Sequence, residues 1–267
     1  MLRVSFVLAL LLCLNGWCAA QISVKAELPK LPEFKPVTEL PADIPTCEQG
    51  DININECIKR AFQQLMPRLK DGIKELNIPP MDPFIIERNN IEIRSSFVQG
   101  RAQIRNVRVF GISEGNVQKV DFRLDGNKVN MGLVSHMPRL YIEGNYKADM
   151  TLNEVKMTPK GYFNVTMSDL TLSSESEGEL YERDGHMYLK LTKFNFEPEI
   201  GDMALYASNL VPDPALNAVI LDFVNQYWRQ VYKVMLPQTR STWEPMFLKV
   251  MNSFLAAVPF DLFIKNN

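Results

Sequence analysis

The chain has 267 residues, with 29 Lys and Arg against 31 Asp and Glu interspersed along it. That balance gives no electrostatic reason to expect a nucleic-acid partner. At 46% hydrophobic and 22% charged residues it is rich enough to bury a sizeable core, in one large domain or two small ones.

Residues Met1 to Ala20 read as a secretory signal peptide. Arg3 supplies the positive start, Val4 to Leu14 the apolar run, and Cys18-Ala19-Ala20 the small-residue cleavage site. The run is shorter than the roughly 20 residues of a membrane anchor, and no later one reaches that length. The expected product is secreted and extracellular, with no stable membrane insertion. Cleavage after Ala20 leaves Cys47 and Cys57. In an oxidising compartment, with no third thiol, they have only each other, and so short a loop contributes roughly 2–3 kcal/mol. A redox or metal site would show CxxC spacing or neighbouring histidines, and neither is present.

From Gln21 to Thr46 the chain carries Pro29, Pro32, Pro36, Pro41 and Pro45 with little apolar periodicity. This predicts an extended arm outside the core, followed by a single domain over 47–267. Asn53 or Asn55 is placed to cap a helix. Ile58, Phe62, Leu65, Met66, Leu69, Ile73 and Leu76 then form one stripe of 3.6-residue period. Pro67 predicts a kink, and Pro79-Pro80 ends the element.

Beyond Phe84 the period becomes two. Leu140, Ile142, Tyr146, Ala148 and Met150 alternate with polar residues, as in an antiparallel strand with one wet face. Gly144 predicts a bulge or bend there. Asp125-Gly126, Pro159-Lys160-Gly161 and Asp184-Gly185 are turn signals. Parity slips after Met167 and after Leu191 mark bulges, which curl a sheet. Asn164-Val165-Thr166 is the only N-glycosylation sequon, and Asn164 lies on the outward parity.

Pro214 to Leu236 has no internal Pro or Gly and predicts one long helix. Its polar side is a stripe roughly 140° wide, so most of its circumference must be wrapped. The architecture implied is α+β, a long antiparallel sheet with an apolar helix.

Gly111-Ile112-Ser113-Glu114-Gly115 matches the nucleophile elbow of α/β-hydrolases. That motif requires a helix after the serine, and Asn116 to Phe122 reads as strand. The bland reading is a β-turn, and no catalytic residue is assigned. His136 and His186 lack ligand-spaced partners, so no metal and no cofactor are expected. What remains is apolar surface. Large and adaptable side chains load both helices, and Met131, Met137, Met150, Met157 and Met167 fall on the sheet's inner parity. Such a face either packs solid or lines a ligand cavity.

Several segments carry a family resemblance. Cys47, nine residues and Cys57 precede the helix that runs into Leu76-Asn77-Ile78-Pro79-Pro80-Met81-Asp82-Pro83. The run Val109-Phe110-Gly111-Ile112-Ser113 follows. At the C-terminus stand Trp243-Glu244-Pro245, Asn252, Phe254 and Val258-Pro259-Phe260-Asp261-Leu262-Phe263. Together these resemble the insect takeout and haemolymph juvenile-hormone-binding proteins, over essentially the whole mature chain. Phe260 stands where the family commonly has Tyr. The single disulfide resembles the takeout branch.

The resemblance implies a tubular lipid-binding fold, a long helix wrapped by a strongly curved antiparallel sheet. It also implies a non-enzymatic carrier of a small hydrophobic molecule, a juvenile-hormone-like terpenoid or a fatty-acid-like lipid, linked to feeding, circadian or chemosensory physiology. Helical phase assigns the tunnel lining to Phe62, Leu65, Met66 and Leu69 of the first helix and Val219, Phe223, Tyr227 and Trp228 of the last. The Tyr227 hydroxyl is placed to orient a polar ligand end, and the first helix to act as a gate. A monomer is expected, with room for a receptor that reads the loaded form. The rival readings are a protein-interaction or membrane-surface module without an enclosed ligand, and an esterase using Ser113.

Overall fold

Strands β6 (Lys128–Leu152), β8 (Lys160–Arg183) and β9 (His186–Ala207) carry 25, 24 and 22 residues in the computed structural model. At about 3.3 Å per residue each spans on the order of 70–80 Å. The structure describes residues 23–26, 35–94, 98–152 and 154–265; the predicted signal peptide lies outside them. The remaining strands are β1 (Ser23–Ala26), β2 (Cys47–Glu48), β3 (Phe84–Arg94), β4 (Val98–Phe110), β5 (Asn116–Asp125), β7 (Val155–Met157) and β10 (Ile264–Lys265). The helices are α1 (Ile54–Arg68), α2 (Pro214–Gln226), α3 (Trp228–Leu255) and α4 (Phe260–Phe263).

The main sheet has eight strands in the order β1-β3-β4-β6-β8-β9, with β5 and β7 also pairing β6. The long helix α3 packs against both β9 and β1, the two ends of that order. The sheet is therefore bent until its opposite edges meet one helix, the curled architecture expected.

Bulges do the bending. The β8–β9 register shifts between Glu177 and Gly178, at the predicted slip after Leu191. At the slip expected after Met167, Asp169 has φ 51, but no bulge forms: the register runs on unshifted from Ser168 to Leu170 against both β6 and β9. The bulge expected near Gly144 lies on the neighbouring strand, where the β4–β6 register shifts between Arg105 and Arg108. Gly144 serves it by having no side chain, since a Cβ there would stand 2.9 Å from Val107 Cγ2. Asp184 and Gly185, both at positive φ, form the β8–β9 hairpin turn. Gly161, expected in a turn, is a strand residue of β8.

The helices depart from expectation in three places. Neither Asn53 nor Asn55 caps α1 with its side chain; Asn55 Oδ1 instead accepts from the Phe122 N–H at 2.8 Å. The helix stops at Arg68, so Pro67 falls in its last turn rather than at a kink. The apolar stripe continues in a short 3-10 turn, Lys74–Leu76, at whose start Ile73 bridges Ile78, and Ile73 and Leu76 are the most completely buried large side chains.

The long C-terminal helix is likewise not one helix over Pro214 to Leu236. It starts as expected, with Asp213 accepting from Ala215 and Leu216 N–H and Pro214 in the first turn. It breaks at Tyr227 (φ −112, ψ 21) and resumes as α3 as far as Leu255, with Pro237 and Pro245 inside. The break lies beside Gly201 and Asp202 of β9. Trp228 Nε1 donates to Asp202 Oδ1 at 3.3 Å, and the Arg229 guanidinium donates to the Gly201 carbonyl. Wrapping is incomplete as well, because Leu216 and Val219 of α2 are 40% and 58% exposed.

Solid core sits at the α1 end. Ile58, Val120, Phe122, Val129, Leu189 and Leu191 form one buried cluster there with Cys47 and Cys57. Phe260 joins it, its ring stacked on Phe122 at 6.4 Å. A second cluster contains Val37, Ile73, Leu76 and Val258. Val37 and Ile44 are 4% and 5% exposed, and the Val37 N–H donates to the Ala257 carbonyl at 2.8 Å. The proline-rich arm is thus partly built into the core, contrary to the extended, unpacked arm expected. The Cys47–Cys57 disulfide is formed. It joins α1 to β2, which pairs in parallel with β10 and so reaches the C-terminus.

Candidate functional site: the inner face of the curled sheet

Register places three cross-strand rows on the inward face of β6, β8 and β9. They are Leu140–Met167–Met203, Ile142–Val165–Leu205 and Gly144–Phe163–Ala207. β4 adds Val109 beside Ile142, and β3 adds Phe84 beside Val109. In a solid core such side chains are fully covered. Here Gly144 and Ala207 are buried, while Leu140, Ile142, Phe163, Val165, Met167, Met203 and Leu205 are only partly so. The α1 end differs in degree: ten residues form one buried cluster there, with Phe62, Met66, Met131 and Leu133 partly buried against it.

α2 packs along β9 beside this grid, held by its asparagines. Asn225 Oδ1 accepts from the Leu205 N–H at 2.7 Å and its Nδ2 donates to the Leu205 carbonyl at 2.9 Å. Asn217 bridges the Leu210 N–H and the Ala207 carbonyl. Phe223 and Tyr227 are partly buried with ring centroids 4.9 Å apart. Trp228 is buried, with the Arg229 guanidinium 4.4 Å from its ring centroid. Tyr146, inward on β6, donates to the Ser208 carbonyl at 2.7 Å, and burial raises its pKa.

The eight lining residues read from the sequence do not meet in one place. Phe62 and Met66 pack on the first buried cluster together with Leu248 and Met251 of α3. Leu65 and Leu69 pack on the second, with Phe254 and Leu262. Phe223, Tyr227 and Trp228 lie at the other end, some 20 helical residues from Leu248, or about 30 Å at 1.5 Å per residue. Val219 is more than half exposed on the outer side of α2, so helical phase put it on the wrong face. The inward residues of the sheet are absent from the eight, although the alternation through Leu140, Ile142 and Tyr146 marks that face in the sequence. Gly115 shows how tightly the α1 end is filled, since a Cβ there would come within 2.3 Å of Met66 Cε.

Two open clefts of about 430 and 520 Å³ lie near the end of α3. Pro36, Arg183, Tyr188 and Ala257 line the first, and Pro245, Leu248 and Lys249 the second. None of the eight predicted lining residues borders either cleft.

Ser113 sits in a structural turn. Its hydroxyl donates to Asp82 Oδ2 at 2.7 Å, and the backbone N–H groups of Ser113 and Gly111 donate to the same carboxylate at 3.0 Å. Burial acts to raise the Asp82 pKa, but the Ser113 hydroxyl and N–H, the Gly111 N–H and Lys70 together lower it. The segment after the turn is β5, not the helix a nucleophile elbow requires. Among the described residues no group of three His, Cys, Asp or Glu could hold a metal ion.

Residues 18–265 match the family model for haemolymph juvenile hormone binding protein. The chain belongs to that family. Within the haemolymph juvenile hormone binding protein family, it is 23% identical over 216 residues to the circadian clock-controlled protein daywake of Drosophila yakuba, covering 78% of this chain and 83% of the relative. Its fold is similar to the crystal structure of Epiphyas postvittana Takeout 1, with a TM-score of 0.65 and 19% identity over 82% of this chain and 99% of that one. At that identity the likeness shows the fold alone. By its description the family consists of binding proteins, which agrees with a site made of apolar surface. No helix among the described residues is long and apolar enough to cross a membrane.

Proposed function

We propose that the protein is a secreted, non-enzymatic carrier. It holds a juvenile-hormone-like terpenoid or fatty-acid-like lipid in an internal apolar tunnel of a single domain, residues 47–267 together with the part of the proline-rich arm packed on it. The observation that carries this reading is the incompletely buried grid from Leu140 to Leu205, beside α2 and less fully buried than the cluster at the α1 end. Apolar burial drives binding, at about 25 cal/mol per Å² before the entropic costs of association. Phe223 and Tyr227 contribute the helical wall, and the Tyr227 hydroxyl orients the polar end of the ligand. The buried disulfide and the family description support an extracellular setting. A circadian role has its support in the likeness to a clock-controlled relative, while a feeding or chemosensory role rests on the family resemblance alone.

Native mass spectrometry of protein recovered from insect-cell medium, followed by solvent extraction, tests the proposal. A co-purifying lipophile, or saturable uptake of a naphthyl fluorescent probe, is expected. Repeated recovery of empty protein that takes up no probe would overturn it.

A further inference from the structure

On the outer face of the sheet, opposite the grid, lies a cluster of aromatic and polar side chains. Register puts Asn164 of β8 directly between Glu143 of β6 and Tyr206 of β9. Tyr162 and Thr166, two residues either side of Asn164, share its face by strand alternation. Tyr206 is 48% exposed, so this face is open to solvent.

The aromatic rings there are held in place. The Tyr162 hydroxyl donates to Glu143 Oε2 at 2.8 Å and lies 3.1 Å from the Tyr141 hydroxyl. Arg108 pairs with the same Glu143 carboxylate and stands over Phe110. The Tyr141 and Glu143 hydrogen bonds push the Tyr162 pKa up to about 12, while Tyr162, ahead of Arg108 and Tyr141, lowers that of Glu143. The Tyr162 and Tyr206 centroids are 6.5 Å apart, with planes tilted by 48°, and flank Asn164. They form an open aromatic corner around the one sequon of the chain.

We propose that Asn164 carries an N-linked glycan whose first sugar stacks on the Tyr162–Tyr206 corner, making the glycan part of the folded outer face. In the transfer, Asn164 Nδ2 forms a bond to C1 of N-acetylglucosamine. The C1–O bond to a lipid pyrophosphate donor breaks, the lipid pyrophosphate leaves, and the amide loses one proton and keeps one N–H. Thr166 supplies the hydroxyl that the transferase requires two residues on. Sugar C–H groups are electropositive and settle on electron-rich ring faces. Because Glu143 already fixes Tyr162, little side-chain freedom is lost on stacking. Asn164 lies within a paired strand, so attachment precedes folding, and the finished sheet presents the sugar outward, away from the proposed lipid site.

The inference rests on entry into the secretory pathway, and the experiment separates the two. The full chain is expressed in insect cells, and its mass is measured in medium and lysate, for the wild type, Asn164→Gln and Thr166→Ala. One glycan on the wild type, absent from both variants and removed by a glycosidase, is expected. Unglycosylated wild type in the medium overturns the site and leaves secretion standing; unglycosylated wild type found only in the lysate overturns both. Glycosylated protein retained in cells supports the site and counts against secretion. For stacking, enzymatic deglycosylation is expected to lower Tm by a few degrees in the wild type and by much less in Tyr206→Ala. Equal shifts in the two would overturn the packed-glycan arrangement.

Discussion

Asn225 hydrogen-bonds both backbone groups of a single residue, Leu205, accepting from its N–H and donating to its carbonyl. Asn252 does the same to Leu191 at 2.8 and 2.9 Å. β9 is an edge strand, and an uncovered edge is a template for unwanted pairing. Side-chain amides, each offering a donor and an acceptor in one plane, stand in for the missing neighbour strand. Between Asn217 at Ala207 and Asn252 at Leu191, helix and strand each advance roughly 50 Å, which keeps them in step.

Replacing either asparagine therefore strands two polar groups of the edge. Asn225→Ala and Asn252→Ala are each expected to cost about 1–3 kcal/mol in a denaturant titration. The sites are far enough apart for the two losses to add. A double variant no less stable than either single one would contradict independent fastening of the strand at its two ends.

The disulfide spans a sequence separation of 10 residues. For so short a loop, reduction or a double Cys→Ser change is expected to lower stability by roughly 2–3 kcal/mol. Chemical unfolding with and without reductant measures it. Since Cys47 also lies in the β2–β10 pairing, faster hydrogen exchange at the Gln49 amide, which donates to the Lys265 carbonyl, is expected alongside.

Asp82 links stability to pH. Its folded pKa is lowered below 3.8, so its contribution is present above that ordinary value and is lost as pH falls through the lower, folded value. Ser113→Ala removes one donor to the carboxylate. The variant is expected to be less stable by about 1.5–3 kcal/mol at neutral pH, with a shallower loss in acid. Urea midpoints across the acid range test this, and hydrophobic-probe uptake by the variant should be unchanged.

For the proposed lipid site, Phe223→Ala and Tyr227→Ala are expected to weaken probe binding by roughly tenfold or more, a change of about 1.4 kcal/mol. Val219→Ser, on the exposed side of α2, should leave binding unchanged. Met66→Ala, within the filled end, should act on stability instead, at about 2–5 kcal/mol. A probe-displacement titration beside a thermal melt separates these outcomes.

Local order was legible in the sequence to different depths. Strand alternation around Leu140 to Met150 and the slip after Leu191 located the sheet and one of its bulges, because strand period and bulge are properties of a few consecutive residues. The 3.6-residue stripe located the first helix but overran it: Ile73 and Leu76 keep the phase although the backbone has left the helix at Arg68. The break at Tyr227 had no Pro or Gly to announce it. It coincides with tertiary hydrogen bonds from Trp228 and Arg229 to Asp202 and Gly201 of β9, 26 to 28 residues away along the chain.

The sequence by itself determined that the protein pairs a curled antiparallel sheet with apolar helices, that Cys47 and Cys57 are the two cysteines beyond the predicted signal peptide, and that it resembles a family of lipophile-binding proteins. These follow from periodicity, composition and short motifs, which act over a turn or a strand pair. Only the tertiary structure decided that Phe62 and Met66 lie at the filled end while Phe223 and Tyr227 lie at the looser one, and that Val219 faces outward. Amphipathic phase tells a side chain which way to point on its own helix; what it meets there depends on how far a strand of more than 20 residues carries its neighbours, and on where bulges turn it.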